Sequence, residues 1–299
     1  MRDLLAPARS WLGVAASVSN DRRMVMITGC SVGIGRSSAL AFLKKGWTVI
    51  ATARQLESIA DLERAGCHCY QLDVTDEQSM LRALEAVQDQ FGTIDVLVNN
   101  AGYGVYGPVE QLPRKLLIDQ FETNVFGLVR LSQLVLPGMR AQHFGRIVNV
   151  SSIGGRFSLP MGGAYYASKH AVEAFSDALR YEARSFGVAV SLVEPGPVLT
   201  HWAATAIASV EIEPDVAEDP YGNMKLAAIG GLSDMSEGRL ARFATTPERV
   251  ARVIVRAASS RRPHSRYRAG FLAHLLLAVR WILPDSAFDL VVARTSVSR

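Results

Sequence analysis

Thr28-Gly29-Cys30-Ser31-Val32-Gly33-Ile34-Gly35 decides the fold. An apolar run, Met24 to Ile27, precedes it, and a helical pattern, Ser37 to Lys45, follows. Strand, glycine turn and helix in that order bring unpaired N–H groups and the positive end of a helix dipole to one point. A phosphate is favoured there, and glycines let it approach the backbone. The common dinucleotide fingerprint is G-x-G-x-x-G. Here the glycines stand at 29, 33 and 35, spaced G-x-x-x-G-x-G. A strand-to-helix turn needs glycines for its own sake, so this stretch alone also fits a turn without a ligand.

Working outward, apolar runs alternate with helical patterns. Strands are expected near 24–28, 47–53, 67–73, 95–100, 145–151, 189–194 and 266–270. Helices are expected near 35–45, 56–65, 76–91, 112–143 and 164–186. Thr246-Pro247-Glu248 reads as an N-cap with proline at the first helical position, opening a helix to about Ala258. Strand–helix alternation implies a parallel sheet with helices on both faces. With 299 residues, 49% hydrophobic and 20% charged, the chain suits one large α/β domain over 24–299 after an extension, 1–23.

The charge pattern and cysteines exclude several classes. A net charge of +4 is mild, and no nucleic-acid-binding motif accompanies it. Three cysteines form no disulfide framework, which points to a reducing, cytoplasmic setting. Cys67-His68-Cys69 lies in a strand-like run with no second ligand cluster, so no metal site is expected. Pro7, Arg9 and Ser10 break the N-terminal apolar stretch, against a cleaved signal peptide. Phe271 to Leu283 is apolar but far shorter than the roughly 20 residues a bilayer requires. It reads as a packed helix of a C-terminal segment, 271–296. Its flanking arginines, with Arg2, Trp11 and Arg9 at the other end, leave peripheral membrane contact as a second reading.

A second constellation gives the glycine turn its chemistry. Tyr165-Tyr166-Ala167-Ser168-Lys169 holds Tyr-x-x-x-Lys, which puts Tyr165 and Lys169 on one helix face. Ser152 stands ahead of them and Asn99-Asn100-Ala101-Gly102 earlier still. Tyr166 competes with Tyr165, being three residues from Lys169. Together these motifs resemble the short-chain dehydrogenase/reductase family over about 24–200, and more loosely over 245–270. The stretches Ala51-Thr52-Ala53-Arg54 and Pro195-Gly196-Pro197-Val198-Leu199-Thr200 are similar to its 17β-hydroxysteroid dehydrogenase-like and retinol dehydrogenase-like branch.

The resemblance implies a seven-stranded doubly wound Rossmann-type sheet binding NAD(H) or NADP(H). It implies that Thr28, Gly29, Ser31, Gly33, Ile34 and Gly35 hold the cofactor phosphates, and that Asp73 contacts adenine. Asn100, Ala101 and Gly102 would line the adenosine side. Pro195, Gly196, Val198 and Thr200 would lie near the nicotinamide amide. Tyr165 becomes the acid/base, Lys169 its cation and ribose ligand, Ser152 the substrate-orienting hydroxyl, and Asn124 the support of a water linking Lys169 to solvent. A free tyrosine has a pKa of about 10, too high for an efficient base at neutral pH. One cation about 4 Å away at an effective dielectric near 20 supplies the roughly 4 kcal/mol that a shift of about 3 units requires. Arg54, next to Ala53 where NAD enzymes place a carboxylate, predicts NADP(H) over NAD(H). Glu57 is assigned to the solvated surface and Asp95 to stabilising the fourth strand.

The segment 201–244 is expected to form a lid over the substrate. Its apolar residues include Trp202, Ile207, Val210, Ile212, Met224, Leu226, Leu240 and Phe243, with Tyr103, Val105 and Tyr106 bordering the same cavity. Such a lid suits a lipophilic alcohol or ketone, a steroid, retinoid or acyl-lipid carbonyl. It equally suits a lid that simply packs. Two other functions stay open at this point: a non-catalytic NADP(H)-binding sensor or interaction module, and a sugar epimerase or dehydratase. The first typically lacks part of the Ser–Tyr–Lys set, and the second carries a long C-terminal substrate domain. The helices 112–143 and 164–186 resemble those that pair subunits in the family, implying a homodimer or homotetramer.

Overall fold

Alternating side chains explain why the sheet is covered on both faces. In β1 (Met24–Ile27), Val25 and Ile27 point one way and Met24 and Met26 the other, and all four are buried. The computed structural model describes residues 23–211 and 218–296. After β1 come α1 (Gly33–Leu43), β2 (Thr48–Ala53), α2 (Ala60–Arg64), β3 (His68–Gln71), α3 (Glu77–Phe91) and β4 (Val96–Asn99). Then follow α4 (Arg114–Phe121), α5 (Gly127–Ala141), β5 (Gly145–Val150), α6 (Gly163–Ala183) and β6 (Val188–Pro195). The chain continues through α7 (Trp202–Ala208), α8 (Gly222–Ser236), α9 (Pro247–Ser259), β7 (Arg266–Ala269), α10 (Phe271–Ile282) and α11 (Asp285–Ser296).

All seven strands pair in parallel, in the order β3-β2-β1-β4-β5-β6-β7. The order reverses between β1 and β4, and ligands of such sheets bind in the crevice beyond the carboxyl ends of the strands at that point. One core layer joins Val25 and Ile27 to Phe42 of α1 and Val250 and Ile254 of α9. The opposite layer joins Met24, Met26 and Ile50 to Leu84 and Val87 of α3 and Leu131 and Met139 of α5. Thr246 does cap α9, its hydroxyl accepting from the Arg249 N–H at 3.4 Å.

Several boundaries differ from expectation, each for a local reason. The single helix expected over 112–143 is two, α4 and α5, joined by a π-helical turn at Glu122–Phe126. Within that turn the Asn124 side chain binds the chain at Tyr103. The helix expected over 56–65 begins as a 3₁₀ turn, Leu56–Ile59, and β3 is a short edge strand ending at Gln71. The C-terminal segment splits into α10 and α11 around Pro284.

Within the expected lid, α7 and α8 pack Ala206, Met224, Ile229 and Leu232 toward Tyr106, Tyr165 and Tyr166. Ile212 and the extension over 1–22 lie outside the described residues, as does the side chain of Leu240. Phe271, Leu275, Trp281 and Ile282 of α10 are exposed, Trp281 at 88%.

Candidate active site

The glycine turn is held by its own neighbours. Gly29 has φ 71°, and a Cβ there would lie 2.9 Å from the Ala101 Cα. A Cβ at Gly35 would run into the Gly29 carbonyl oxygen. Thr28 Oγ1 accepts the N–H groups of Asn100 and Ala101, both at 3.0 Å. The Asn100 amide donates back to the carbonyls of Thr28 and Gly29 at 2.9 and 3.0 Å. Thr28 and Asn100 therefore brace the turn. The N-cap of α1, Val32, makes no side-chain cap bond, and the first turn carries no acidic residue. The N-terminal N–H groups there, beside Ser31 and Ile34, suit a phosphate. A Cβ on Gly33 would be 3.1 Å from Thr200 Cγ2, so the chain after β6 passes over the same point.

The other residues that the sequence assigns to the cofactor lie at or beyond the strand ends. Arg54, exposed after β2, lies near enough to the Tyr103 phenol to act on it electrostatically. Glu57 is also exposed. Asp73 turns one carboxylate oxygen to Thr75, accepting its N–H at 2.9 Å and its hydroxyl at 2.8 Å. Asp95 accepts the Met24 N–H at 2.9 Å, tying β4 to the start of β1, and burial pushes its pKa up. The Gly196 N–H donates to Ala269 at 3.1 Å, next to Pro195 at the end of β6. Val198 bridges to Thr245, and Thr200 Oγ1 accepts the Trp202 N–H at 3.2 Å.

Ser152, Tyr165, Lys169 and Asn124 converge. Ser152 stands just past β5, its hydroxyl accepting the Gly154 N–H at 3.0 Å and meeting the Tyr165 phenol. Lys169 Nζ donates to the Val150 carbonyl at 3.0 Å and lies 5.9 Å from the centre of the Tyr165 ring. Asn124 accepts from Tyr103 N–H at 3.0 Å and donates to the Tyr103 carbonyl and to Ser168 Oγ at 2.9 and 3.0 Å. A Cβ on Gly102 would lie between Asn124 Oδ1 and Lys169 Nζ, 3.0 and 3.8 Å away. Tyr166 points elsewhere: its hydroxyl is 3.4 Å from that of Tyr106, and its ring fills the space beside Gly154 and Gly162.

Burial sets the electrostatics. It pushes the Tyr165 phenol well above its ordinary pKa, against the lowering contact with Ser152, while Tyr166 adds a smaller upward push. It lowers Lys169 to about 8, opposed by the negative charge of Glu173. A cation sized only by Coulomb's law would lower the phenol, but here the cost of removing a phenolate from water dominates.

Trp202 covers the pair. Its ring lies 4.9 Å from that of Tyr165 and 5.9 Å from that of Tyr106, and it seats where a Cβ on Gly104 would clash. Tyr106 lies 6.3 Å from Tyr165. Sequence reasoning missed Gln120 and Ser168. Gln120, fully buried on α4, accepts from Val105 N–H at 2.7 Å and donates to the Tyr103 carbonyl at 2.8 Å. Ser168 links Asn124 to the Tyr165 carbonyl, donating at 2.7 Å. The available signal for Gln120 was an amide one turn ahead of Asn124 on a face otherwise apolar.

The family model for short chain dehydrogenase matches residues 23–210. The chain belongs to the short-chain dehydrogenase/reductase family. A probable short-chain type dehydrogenase/reductase of Helicobacter pylori, VdlC, is 38% identical over 266 residues, 89% of this chain and 95% of the relative. Retinol dehydrogenase 8 of Homo sapiens is 35% identical over 288 residues, 91% of this chain and 89% of the relative. A short-chain dehydrogenase from Streptomyces avermitilis superposes with a TM-score of 0.75 at 32% identity, covering 93% of this chain and 96% of that one. The closed form of a serine dehydrogenase complexed with NADP+ gives 0.71 at 25% identity, covering 83% and 95%.

As a short-chain dehydrogenase/reductase, the chain is an oxidoreductase of CH–OH groups and their ketones that uses a nicotinamide cofactor. The glycine turn fits that cofactor, since the N-terminus of α1 beside it carries no side-chain cap and no acidic residue in its first turn. Among the described residues, no group of three metal-ligating side chains converges, and no helix is long and apolar enough to cross a membrane.

Proposed function

We propose that this short-chain dehydrogenase/reductase transfers a hydride between NADP(H) and a lipophilic secondary alcohol or ketone, with Tyr165 moving the proton. The observation that carries this reading is Tyr165, its phenol meeting Ser152 and its ring 5.9 Å from Lys169 Nζ and 4.9 Å from the Trp202 ring. The bound nicotinamide supplies or accepts the hydride. Tyr165 gives its proton to the carbonyl oxygen in reduction and takes it back in oxidation. Ser152 donates to the same oxygen, orienting it and steadying the charge that develops there. Lys169 favours the phenolate and holds the ribose hydroxyls. Asn124, fixed between Tyr103 and Ser168, keeps the loop after β4 against Lys169.

NADP(H) is favoured because Arg54 follows β2 where a carboxylate would repel the 2′-phosphate. Thr28, Gly29, Ser31, Gly33, Ile34 and Gly35 would hold the pyrophosphate, Asp73 and Asn100 to Gly102 the adenosine side, and Pro195, Gly196, Val198 and Thr200 the nicotinamide side. A lipophilic substrate is supported by the walls above Tyr165: Tyr106, Trp202, Met161, Met224 and Ile229. In the same reading 201–244 acts as the lid, and copies of the chain pair through α4–α5 and α6. Peripheral membrane contact would act through the exposed face of α10, which pelleting with anionic vesicles tests.

Oxidation of NADPH and of NADH, measured with a panel of steroid, retinoid and acyl-chain ketones beside small polar ones, tests the function. The expected result is turnover that favours NADPH and rises with apolar substrate area. Turnover confined to small polar ketones, or none with tight cofactor binding, contradicts it.

A further inference from the structure

We propose that the Tyr106 and Tyr166 hydroxyls form a polar subsite in the otherwise apolar wall beside Tyr165, which takes a second oxygen, carbonyl or hydroxyl, carried by the substrate close to its reacting carbonyl. This rests on the role given to Tyr165 under Proposed function and narrows the substrate from a simple ketone to a diketone, hydroxy ketone or keto ester.

Two distant parts of the chain bring these phenols together. Tyr106 lies in the loop after β4 and is tied to the lid, its N–H donating to Ser209 Oγ at 2.9 Å. Tyr166 follows Tyr165 on α6. Both are buried, and their hydroxyl oxygens are 3.4 Å apart. Each ring lies against that of Tyr165, with centres 6.3 Å away for Tyr106 and 5.6 Å away for Tyr166. Tyr166 also borders the hydroxyl proposed to orient the reacting oxygen. A Cβ on Gly154 would lie 2.7 Å from Tyr166 Cδ1 and 3.4 Å from Ser152 Oγ, so room for one methyl group separates them. On the other side of the ring, a Cβ on Gly162 would run into Tyr166 Cε2. The ring is thus held between two glycines, with its hydroxyl at that of Tyr106.

Hydrogen bonding decides what the pair can do. Two hydroxyls carry two donors, and the bond between them uses one. Among the described residues, no other group pairs with either hydroxyl. Burial pushes both phenols up, so each keeps its proton at neutral pH and stays a donor. The side chains packed around them, Met161, Ala206, Val210, Met224 and Ile229, are apolar. A wall that only held apolar surface would be served as well by phenylalanine at both positions. A buried hydroxyl short of a partner costs free energy that a ring C–H of the same shape does not. An oxygen on the substrate supplies the missing acceptor.

The test is kcat/KM for two ketones matched in chain length, one simple and one a β-keto ester, in wild type and in variants that lack the hydroxyls. Intrinsic carbonyl reactivity sets part of the ratio between the two substrates, but it cancels when variants are compared. The double variant Tyr106→Phe with Tyr166→Phe is expected to lower the keto-ester-to-ketone ratio about 10-fold, the worth of one hydrogen bond from a buried donor. Whichever single variant removes the donating hydroxyl should give most of that loss. A merely structural role would lower both substrates alike and leave the ratio where it was. An unchanged ratio in the double variant overturns the proposal; if that variant does not fold, an unchanged ratio in both single variants does. Wild type that reduces the simple ketone, with no variant shifting the ratio, removes the subsite alone. Wild type that reduces neither ketone removes the reading under Proposed function and the subsite with it.

Discussion

In the role proposed for it, Tyr165 meets two opposed demands. It has to be buried, so that water does not compete for the substrate oxygen, and burial makes its proton hard to release. Lys169 shares the burial and is drawn toward neutrality, to about 8. The sign follows directly: the ammonium is present below about pH 8 and lost above it. In the proposed mechanism, ketone reduction needs that ammonium and a protonated Tyr165. The kcat/KM profile for ketone reduction at fixed NADPH should therefore fall as pH rises past about 8. At the cofactor's other end, Arg54→Ala should weaken NADPH binding about 10- to 100-fold, the worth of a charge-assisted pair, and leave NADH nearly unchanged. Titrating both cofactors into the variant checks this, and equal loss for the two would speak against a 2′-phosphate contact.

At the scale of elements, position matters more than residue type. Gly35 opens α1 directly under the Gly29 carbonyl, so Gly35→Ala forces the turn apart. Cofactor affinity should fall at least about 10-fold, with a stability loss of about 1–3 kcal/mol from the strained packing. Calorimetric titration and thermal unfolding of the same variant measure both. The glycine turn and the Tyr165–Lys169 pair were readable because each uses contiguous residues with a fixed spacing. The π turn at Glu122–Phe126 was not, since apolar periodicity runs straight through it. Asn124 within it bonds to Tyr103, a long-range contact invisible to any local pattern. The Tyr106–Tyr166 pair was hidden for the same reason, its members being 60 residues apart.

At the scale of the whole molecule, the inner strands β1, β2, β4, β5 and β6 were legible because buried parallel strands read as short apolar runs. The lid's packing partners were not, because apolar lid residues fit a substrate wall and a packed helix equally well. Only the fold brings Trp202 onto Tyr165, in a seat left by Gly104. The exposed Phe126 and Phe175 mark the faces proposed to pair subunits. Sedimentation should give a dimer or tetramer, and Phe175→Glu should shift it toward monomer; a monomeric wild type would remove that part of the account.

The central claim is that one of two adjacent tyrosines carries the proton. NADPH oxidation with a lipophilic ketone, measured for Tyr165→Phe and Tyr166→Phe under conditions where both still bind NADPH, tests it most directly. The account predicts a loss of about 10²–10⁴-fold in kcat for Tyr165→Phe and a far smaller change for Tyr166→Phe. Retained turnover in Tyr165→Phe with an inactive Tyr166→Phe would contradict it.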